Sequence, residues 1–446
     1  MRFLEELGKR VILFDGAMGT QIQGLSLSDS DWDGRQGCNE ILNVTAPEKI
    51  EGIHRAYLSA GSDVIETNTF GANRIVLADY GLSGRTEELN EAAARIARKA
   101  ADAFTVPSGR RRFVAGSIGP GTKLPSLGQA DFDTLRDSYH AQALGLLRGG
   151  VDLLLIETCQ DLLQIKCAVI ACADAIHDTG ASVPIAVSFT IEAGGTLLVG
   201  SDIGAVISTL LPLPVDIMGL NCALGPEQMR PYIAEVCRLF PGPVICQPNA
   251  GLPELVNGKL AYTLGAEPFA DHLVRFVTEL GVSIVGGCCG TSPEYISRLA
   301  AALHGAQIGA QTGAGHADNA GTGPRAGSGA VPAPRQAVVE PRIASLFTSV
   351  SLNQVPKPFF VGERNNTNGS KEFKEALLSD DWDRAVQIGV RQQETGAHGI
   401  DVCVAYAGRN ERADMEAAVS RLSTSVQVPL FLDSTDPAIL EAGLKR

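Results

Sequence analysis

The 446-residue sequence has no apolar stretch of membrane-spanning length, and its start, MRFLEELGKR, has too short an apolar core for a signal peptide. It also has no dense cluster of basic residues apart from the short run Arg110-Arg111-Arg112, and its formal net charge is -13. An acidic chain of this kind repels polyanions. We therefore expect a cytoplasmic protein with no membrane and no nucleic acid among its partners.

Histidine is scarce, with seven residues, whereas cysteine occurs ten times. Ten cysteines, several of them within apolar runs, fit reduced thiols and metal ligation better than a secreted disulfide framework. A hydrophobic content of 45% and a mean hydropathy of +0.08 indicate a soluble globular chain. Because the chain is longer than one typical domain, we expect two domains.

Short aliphatic runs alternate with longer helical patterns through the first two thirds of the chain, which is typical of β/α units around a parallel sheet. The predicted strands are Val11 to Asp15, Val64 to Asn68, Phe113 to Ile118, Leu153 to Glu157, Ile185 to Thr190, Ile217 to Cys222, Val244 to Pro248 and Ser283 to Gly287. Predicted helices between and after them include Pro47 to Ala60, Glu87 to Phe104, Leu162 to Ile176, Pro226 to Phe240 and Pro293 to Leu303. This α/β pattern predicts a (β/α)8 TIM barrel with insertions.

Chemistry in such a barrel takes place at the carboxyl ends of the strands. In this sequence those ends are rich in polar side chains and thiols. The candidate substrate contacts among them are Asp15, Glu66, Asn68, Ser117 and Glu157. This concentration at one rim favours an enzyme over a scaffold.

After residue 304 the composition changes to Gly, Ala, Thr, Ser and Pro, with almost no bulky apolar residue up to about residue 335. We predict a barrel over residues 1–304, a flexible linker over 305–340 and a second unit over 341–446. The predicted strands of the second unit are Phe359 to Glu363, Ile400 to Val404 and Val428 to Asp433, with helices from Phe373 or Trp382 to Thr395 and from Ala413 to Leu422. A barrel begun this way needs about five more strands to close, so we expect an incomplete, truncated TIM-like barrel.

Two adjacent thiols, Cys288 and Cys289, lie in the glycine-rich sequence Gly286-Gly287-Cys288-Cys289-Gly290, and Cys222 ends the earlier strand. The glycines allow the strand to break into a loop, so that adjacent thiols can converge. Three thiolates without an obvious fourth protein ligand indicate a catalytic Zn²⁺ with an open position. All seven histidines lie outside the strand ends, which disfavours His-rich zinc chemistry. A vicinal disulfide and the packing of buried cysteines are the alternatives.

Such a zinc binds soft sulfur and deprotonates a coordinated thiol, so we expect a thiol substrate. Asp15 and Glu157 could hold an ammonium group, and the turn over residues 16–20, with Met18 and Gly19, offers backbone N–H groups for a carboxylate. An amino-acid thiol matches these features. The alternative for each carboxylate is an ordinary salt bridge at the rim.

Six motifs together carry a resemblance to a known family. They are Asp15-Gly16-Ala17-Met18-Gly19-Thr20, Glu66-Thr67-Asn68-Thr69-Phe70, Gly116-Ser117-Ile118-Gly119-Pro120, Glu157-Thr158, Gly219-Leu220-Asn221-Cys222 and Gly286-Gly287-Cys288-Cys289-Gly290. In this order they resemble the homocysteine S-methyltransferase family over residues 10 to 300. The resemblance implies that the three cysteines bind zinc, that L-homocysteine sulfur takes the open position, and that Asp15 and Glu157 contact its amino group. It also implies that Asn249 can be a weak fourth zinc ligand without substrate.

The segment after the linker resembles the folate-binding barrel of the cobalamin-dependent methionine synthase family. The resemblance rests on Val361-Gly362-Glu363-Arg364-Asn365-Asn366-Thr367-Asn368-Gly369-Ser370-Lys371, on the strand with Asp401, and on Leu432-Asp433-Ser434-Thr435. It implies that Glu363, Asn366, Asp401 and Asp433 are candidate pterin contacts, although Cys403 stands where many members carry an asparagine. It further implies 5-methyltetrahydrofolate and methylcobalamin as cofactors, the latter on a cobalamin-carrying domain downstream.

Three alternatives remain open at the level of sequence. A homocysteine methyltransferase that uses betaine or S-methylmethionine needs no folate barrel, so the second unit argues against it. A fusion with a methylenetetrahydrofolate reductase would lack the VGERNNTNGS motif. A non-catalytic zinc or thiol redox-sensing module is permitted by adjacent reactive cysteines, but it leaves the carboxylates without a purpose.

Overall fold

The computed structural model describes residues 3–256, 259–312 and 332–446. The strands up to residue 312 are β1 (Ile12–Leu13), β2 (Val64–Glu66), β3 (Phe113–Ile118), β4 (Leu153–Cys159), β5 (Ile185–Phe189), β6 (Ile217–Asn221), β7 (Val244–Gln247), β8 (Pro253–Val256), β9 (Lys259–Tyr262) and β10 (Ile284–Val285). All except β8 and β9 form one eight-stranded sheet in the order β1-β10-β7-β6-β5-β4-β3-β2. Every neighbouring pair in it is parallel, and the prediction of a (β/α)8 barrel is confirmed.

Helices connect the strands on the outside of the sheet. They are α1 (Phe3–Leu7), α2 (Met18–Gln23), α3 (Asp29–Trp32), α4 (Leu42–Thr45), α5 (Pro47–Ala60), α6 (Arg74–Ala78), α7 (Thr86–Ser108), α8 (Phe132–Gly149), α9 (Leu162–Thr179), α10 (Ile203–Leu210), α11 (Pro226–Leu239), α12 (Ala266–Arg275) and α13 (Pro293–Thr312). Short 3-10 turns occur at Asn39–Ile41, Ser83–Arg85 and Pro125–Leu127, and a π-helical turn, Phe276–Leu280, extends α12. No helix among the described parts of the chain combines the length and apolarity needed to cross a membrane.

Hydrogen bonds of Asp15 and Asp63 join the first and second strands of the barrel. The Asp63 N–H donates to the Leu13 carbonyl at 2.7 Å, and the Leu13 N–H donates to the Asp63 carboxylate at 3.1 Å. Higher up, the Glu66 N–H donates to Asp15 Oδ2 at 3.0 Å. Side chains thus satisfy backbone groups where the two strands separate.

Asp63 also anchors the amino end of the barrel. Arg10 and Arg110 each approach its carboxylate to 2.6 Å, and Arg112 approaches it to 3.2 Å. Asp63 is 1% exposed, and the Arg10 and Arg112 side chains are largely buried, whereas Arg110 reaches the surface. This network holds the strand ends opposite the rim where chemistry is expected.

The strands are buried on both faces, as a parallel sheet covered by helices requires. The barrel interior is filled by alternate strand residues, which include Ile12, Phe14, Val64, Phe113, Leu153, Leu155, Ile217, Ile245 and Ile284. Phe3 of α1 joins this cluster and packs edge-on against Phe14 and Phe113, with ring centroids 6.5 and 5.3 Å away. A second, larger layer lies between the sheet and the helices.

Two features after β7 differ from the sequence prediction. The antiparallel hairpin of β8 and β9 lies between β7 and α12, where no strand was predicted. The last barrel helix continues to Thr312, inside the segment predicted as linker, because alanine and glutamine there favour a helix. Residues 313–331 of the predicted linker lie outside the described residues. Beyond them, Arg335 donates to the carbonyls of Cys237 and Phe240 at 2.7 and 2.9 Å.

The second unit begins another β/α pattern. Its elements are β11 (Arg342–Ala344), β12 (Ser349–Ser351), β13 (Val361–Asn366), α14 (Lys371–Leu378), α15 (Trp382–Glu394), β14 (Gly399–Cys403), α16 (Glu411–Ser425), β15 (Leu430–Leu432) and α17 (Pro437–Leu444). The strands β13, β14 and β15 form a parallel sheet, and β11 pairs with β12 in a hairpin. The single helix predicted before Thr395 is two helices, because Asp380 adopts a left-handed φ of 54° and Asp381 caps α15.

Candidate metal and substrate site

The three candidate metal ligands meet at the carboxyl end of the barrel. Cys222 directly follows β6, and Cys288 and Cys289 lie in the loop between β10 and α13. Their sulfur atoms all lie within 4.8 Å of one another, and the Cys222 and Cys289 sulfurs are 3.7 Å apart. Tetrahedral zinc with bonds near 2.3 Å places two sulfurs about 3.8 Å apart. The cluster therefore fits a tetrahedral metal ion with little movement.

Backbone hydrogen bonds hold the loop with the adjacent thiols. The Cys288 N–H donates to the Pro248 carbonyl, and the Ala250 N–H donates to the Cys289 carbonyl, both at 2.9 Å. The Cys289 N–H donates to Asn249 Oδ1 at 3.1 Å. The strand ladder ends at Val285, so the alternation of side chains has stopped before the two cysteines.

Cys222 reaches the cluster through an unusual backbone conformation. Its φ is 60°, and that of Ala223 is 54°. Left-handed conformations are costly for residues other than glycine, and strain of this kind is concentrated at functional sites. Two consecutive left-handed residues turn the chain sharply at the end of β6 and present the thiol to the other two.

The three thiols share hydrogen bonds, so they do not titrate independently. Hydrogen bonds from Cys222 and Cys288 lower the pKa of Cys289 to about 3. Hydrogen bonds with Cys222 and Cys289, together with burial, raise the pKa of Cys288 well above its ordinary value. One thiolate is therefore favoured within the cluster before any cation binds.

Three carboxylates, those of Asp15, Glu66 and Glu157, lie at the same rim. Asp15 is 1% and Glu157 7% exposed, and Glu66 is partly buried. Burial is the largest influence on each of them and raises the pKa of Glu157 to about 7, and the pKa values of Asp15 and Glu66 well above the ordinary range. Within residues 3–256, 259–312 and 332–446, no lysine or arginine contributes to any of these shifts. Buried carboxylates without a cation are costly, and this arrangement suits a cationic ligand.

Among the described residues, the hydrogen bonds of these carboxylates leave one fully buried acceptor without a partner. Ser117 Oγ donates to Glu157 Oε1 at 2.5 Å, and Gln247 Nε2 donates to Glu66 Oε1 at 2.6 Å. Asp15 Oδ2 accepts from the Glu66 N–H, whereas Asp15 Oδ1 is buried and has no partner among the described residues. Because buried acceptors are normally satisfied, Asp15 Oδ1 marks a place for a donor from a ligand.

The remaining predicted residues occupy different surroundings. Met18 and Gly19 open α2, whose amino end has no side-chain cap. Asn249 Oδ1 is engaged by the Cys289 N–H. Asn68 is buried, and its amide donates to the Asn39 carbonyl at 2.8 Å and to Asn43 at 3.2 Å, so it is tied to the neighbouring helical turns. Its role in binding substrate stays a prediction.

Side chains outside the predicted set also touch the site. Tyr262, at the end of β9, is hydrogen-bonded to Cys289, and its ring packs against Gly290, where a Cβ would lie 2.5 Å from the ring. A hairpin was foreseeable here, because Asn257-Gly258 stands between two short runs with strand character. Gln247 and Asn221 are the final residues of β7 and β6, and their amides reach the carboxylates.

Three of the four predicted pterin contacts converge in the second unit. Asn366 Nδ2 donates to Asp401 at 2.7 Å and lies 3.4 Å from Asp433 Oδ2. Burial raises the pKa of Asp401, and the hydrogen bond from Asn366 offsets part of that rise. Glu363 is exposed on the same strand as Asn366.

A TIM barrel with a thiol cluster beside unpaired buried carboxylates defines a class of barrel proteins suited to metal-assisted chemistry on a thiol. The family profile "Homocysteine S-methyltransferase" matches residues 12–303, and the chain belongs to this family. The profile "Pterin binding enzyme" matches residues 362–446.

Particular relatives agree with this family. The chain is 44% identical to the methionine synthase of Mycobacterium leprae and 43% identical to that of Mycobacterium tuberculosis, over 442 residues or 99% of its length. It spans 35% of the length of each relative. Among solved structures, the metallated form of the homocysteine methyltransferase MmuM from Escherichia coli is 25% identical, with a TM-score of 0.55, covering 67% of this chain and 98% of that one. Its oxidized form gives a TM-score of 0.54 at the same identity, over 67% of this chain and 97% of that one.

Proposed function

We propose that the first barrel transfers a methyl group to the sulfur of L-homocysteine and so forms methionine. The observation that carries the proposal is the placement of three thiols, within 4.8 Å of one another, at the same rim as buried carboxylates that have no cationic partner in the described part of the chain. A metal ion satisfies the first group and a substrate ammonium the second. An amino-acid thiol supplies both a sulfur and an ammonium.

Cys222, Cys288 and Cys289 would hold Zn²⁺. When bound there, Zn²⁺ lowers the pKa of a substrate thiol and so supplies a thiolate near neutral pH. Tyr262 and the Cys289 backbone contacts keep the loop in place. Asn249 is the candidate for a weak fourth ligand in the absence of substrate.

The substrate's amino-acid end would be held by the carboxylates and by α2. We assign the ammonium to Asp15 Oδ1 and Glu157, since the first has no partner among the described residues and both are buried. The backbone N–H groups of Met18 and Gly19 would receive the carboxylate. Ser117 orients Glu157 through its 2.5 Å hydrogen bond.

The second unit supports 5-methyltetrahydrofolate as the source of the methyl group. The support is the match to a pterin-binding profile and the convergence of Asn366 with Asp401 and Asp433. The same features favour a folate-dependent enzyme over one that uses betaine or S-methylmethionine. We propose that methylcobalamin, carried by a domain outside this chain, passes the methyl group between the two units.

Exposed apolar side chains around the barrel rim are consistent with a bulky donor. Phe70, Leu198 and Leu252 lie in the loops after β2, β5 and β7 and are 45, 55 and 42% exposed, and Leu255 of β8 is 78% exposed. Exposed apolar groups that form a contiguous patch are typical of surfaces that meet a partner. Because the proposed thiol chemistry requires reduced cysteines, we place the protein in a reducing compartment such as the cytoplasm.

The test combines metal content with turnover. The purified chain should hold one zinc, release a proton as homocysteine binds, and form methionine from free methylcobalamin. Cys288→Ala should lose the zinc, the proton release and the formation of methionine. A well-folded, metal-free wild type that neither releases a proton nor forms methionine with homocysteine would contradict the proposal and would favour a redox role for the cysteines.

A further inference from the structure

The side chain of Asn221, the last residue of β6, lies between the two halves of the candidate site. It is 1% exposed and belongs to no substrate or metal contact assigned above. Its Nδ2 atom lies 3.5 Å from Glu157 Oε2 and 3.9 Å from Cys288 Sγ. The same amide therefore faces a carboxylate assigned to the substrate ammonium and a thiol assigned to the metal.

The orientation of this amide is fixed by Thr158. The Thr158 N–H donates to Asn221 Oδ1 at 3.0 Å, and a backbone N–H can only face the oxygen of the amide. Asn221 Nδ2 then donates to Thr158 Oγ1 at 2.7 Å. Of its two hydrogens, one is used for Thr158 and the other points toward Glu157 and Cys288.

Thr158 itself is strained. Its φ is 60°, a left-handed value that is rare for a β-branched residue. Two hydrogen bonds with the Asn221 side chain hold Thr158 in this conformation and offset part of the cost of the strained backbone. Because Thr158 follows Glu157 directly, this conformation determines where the Glu157 carboxylate lies relative to β6.

We propose that Asn221 is a positioning residue that holds the ammonium-binding carboxylate of Glu157 in register with the metal-binding thiol of Cys288. This inference rests on the proposed function and adds a specificity element to it. The amino group and the sulfur of homocysteine are separated by a fixed number of bonds. A side chain that ties their two receptors together selects thiols that carry an amino group at that separation.

The experiment compares two thiols on the cobalt-loaded protein. Homocysteine and 4-mercaptobutanoic acid, which lacks the amino group, are titrated while the cobalt–thiolate absorption is followed. The wild type should prefer homocysteine. In Asn221→Ala, the preference should fall at least about tenfold while one Co²⁺ remains bound, and the cobalt spectrum should shift because Cys288 has lost a hydrogen bond.

Two further variants make the result decisive. Asn221→Leu keeps the branched shape of the side chain without its polar atoms and should show the same loss if the alanine variant folds poorly. Thr190→Val is the matched control, because Thr190 Oγ1 donates at 2.9 Å to the Asn221 backbone carbonyl and leaves the amide untouched. Its preference for homocysteine should equal that of the wild type.

The outcomes distinguish the positioning role of Asn221 from the proposed function of the barrel. An unchanged preference in both Asn221 variants, or loss of Co²⁺ from both, would overturn the positioning role and leave the proposed function standing. A wild type that binds Co²⁺ but does not prefer homocysteine would overturn the assignment of the ammonium site, and the positioning role with it.

Discussion

Replacement of the buried Glu157 by glutamine should make the metal-free barrel more stable and its substrate affinity weaker. Burial raises the pKa of this carboxyl from 4.5 to about 7, and one pKa unit corresponds to about 1.4 kcal/mol. The folded state therefore binds the proton more tightly than the unfolded state by about 3 kcal/mol. The same difference is the penalty for the ionised carboxylate in the folded state, so it is the largest gain in stability that the neutral glutamine can give.

The sign of the pH dependence follows from the raised pKa. Below about pH 4.5 the carboxyl is protonated in both states and adds no penalty, whereas above about pH 7 it is ionised in both and the folded state carries the full penalty. The contribution of Glu157 to the free energy of unfolding should thus fall as pH rises between these values. The free energy of unfolding of Glu157→Gln should be higher than that of the wild type by up to about 3 kcal/mol at pH 8, and the two values should be equal near pH 4.5.

Urea unfolding of the chelated protein measures this difference. The chain has two tryptophans, Trp32 in the first barrel and Trp382 in the second unit, so a Trp382→Phe background lets fluorescence report on the barrel alone. Asp271→Asn, an exposed change within α12, is the control for loss of one negative charge. Homocysteine should bind Glu157→Gln about 10- to 100-fold more weakly, because a charged hydrogen-bond partner is lost.

A Glu157→Gln variant that is no more stable than the wild type at pH 8 would show that the buried carboxylate carries no penalty. A carboxylate that is already paired or well solvated would give that result. Equal homocysteine affinity in the two proteins would separately remove Glu157 from the substrate site.

Three further predictions concern the fold and the thiols. Asp63→Asn should lower the free energy of unfolding by about 3–5 kcal/mol in urea titrations, because it removes the charge that pairs with buried arginines; a loss below about 1 kcal/mol would contradict this. Gly219→Ala should abolish soluble protein, since a Cβ there would lie 1.7 Å from the Ile245 carbonyl oxygen, and recovery of a barrel with unchanged Tm would be evidence against that packing. Chelation followed by mild oxidation should join Cys222 to Cys289, whose sulfurs are 3.7 Å apart; peptide mapping that finds all thiols free would argue against their proximity.

The architecture was predictable because parallel strands buried on both faces leave a strong sequence pattern. All eight predicted barrel strands are present, and the helix predicted at Pro47–Ala60 has those bounds in the structure. Several strands are shorter than predicted at their carboxyl ends. The ladder of β2 stops at Glu66 and that of β10 at Val285, because the residues that follow turn into the site.

The site was predictable only in its main residues. Thiols and carboxylates at strand ends must meet at one rim of a parallel barrel. The convergence of Cys222, Cys288 and Cys289 was therefore predictable from the sequence. The left-handed conformations of Thr158 and Cys222 were not predictable, since local propensity disfavours them and only tertiary hydrogen bonds hold them. The position of Asn221 between the two halves depends on that same geometry.

Zinc K-edge X-ray absorption on the purified chain, with and without homocysteine, would show whether the three thiols and the substrate sulfur share one metal ion. We expect one zinc per chain with sulfur ligands from the three cysteines, and one additional sulfur when homocysteine is present. Zinc surrounded by nitrogen and oxygen, or a sulfur count that homocysteine leaves unchanged, would contradict this expectation.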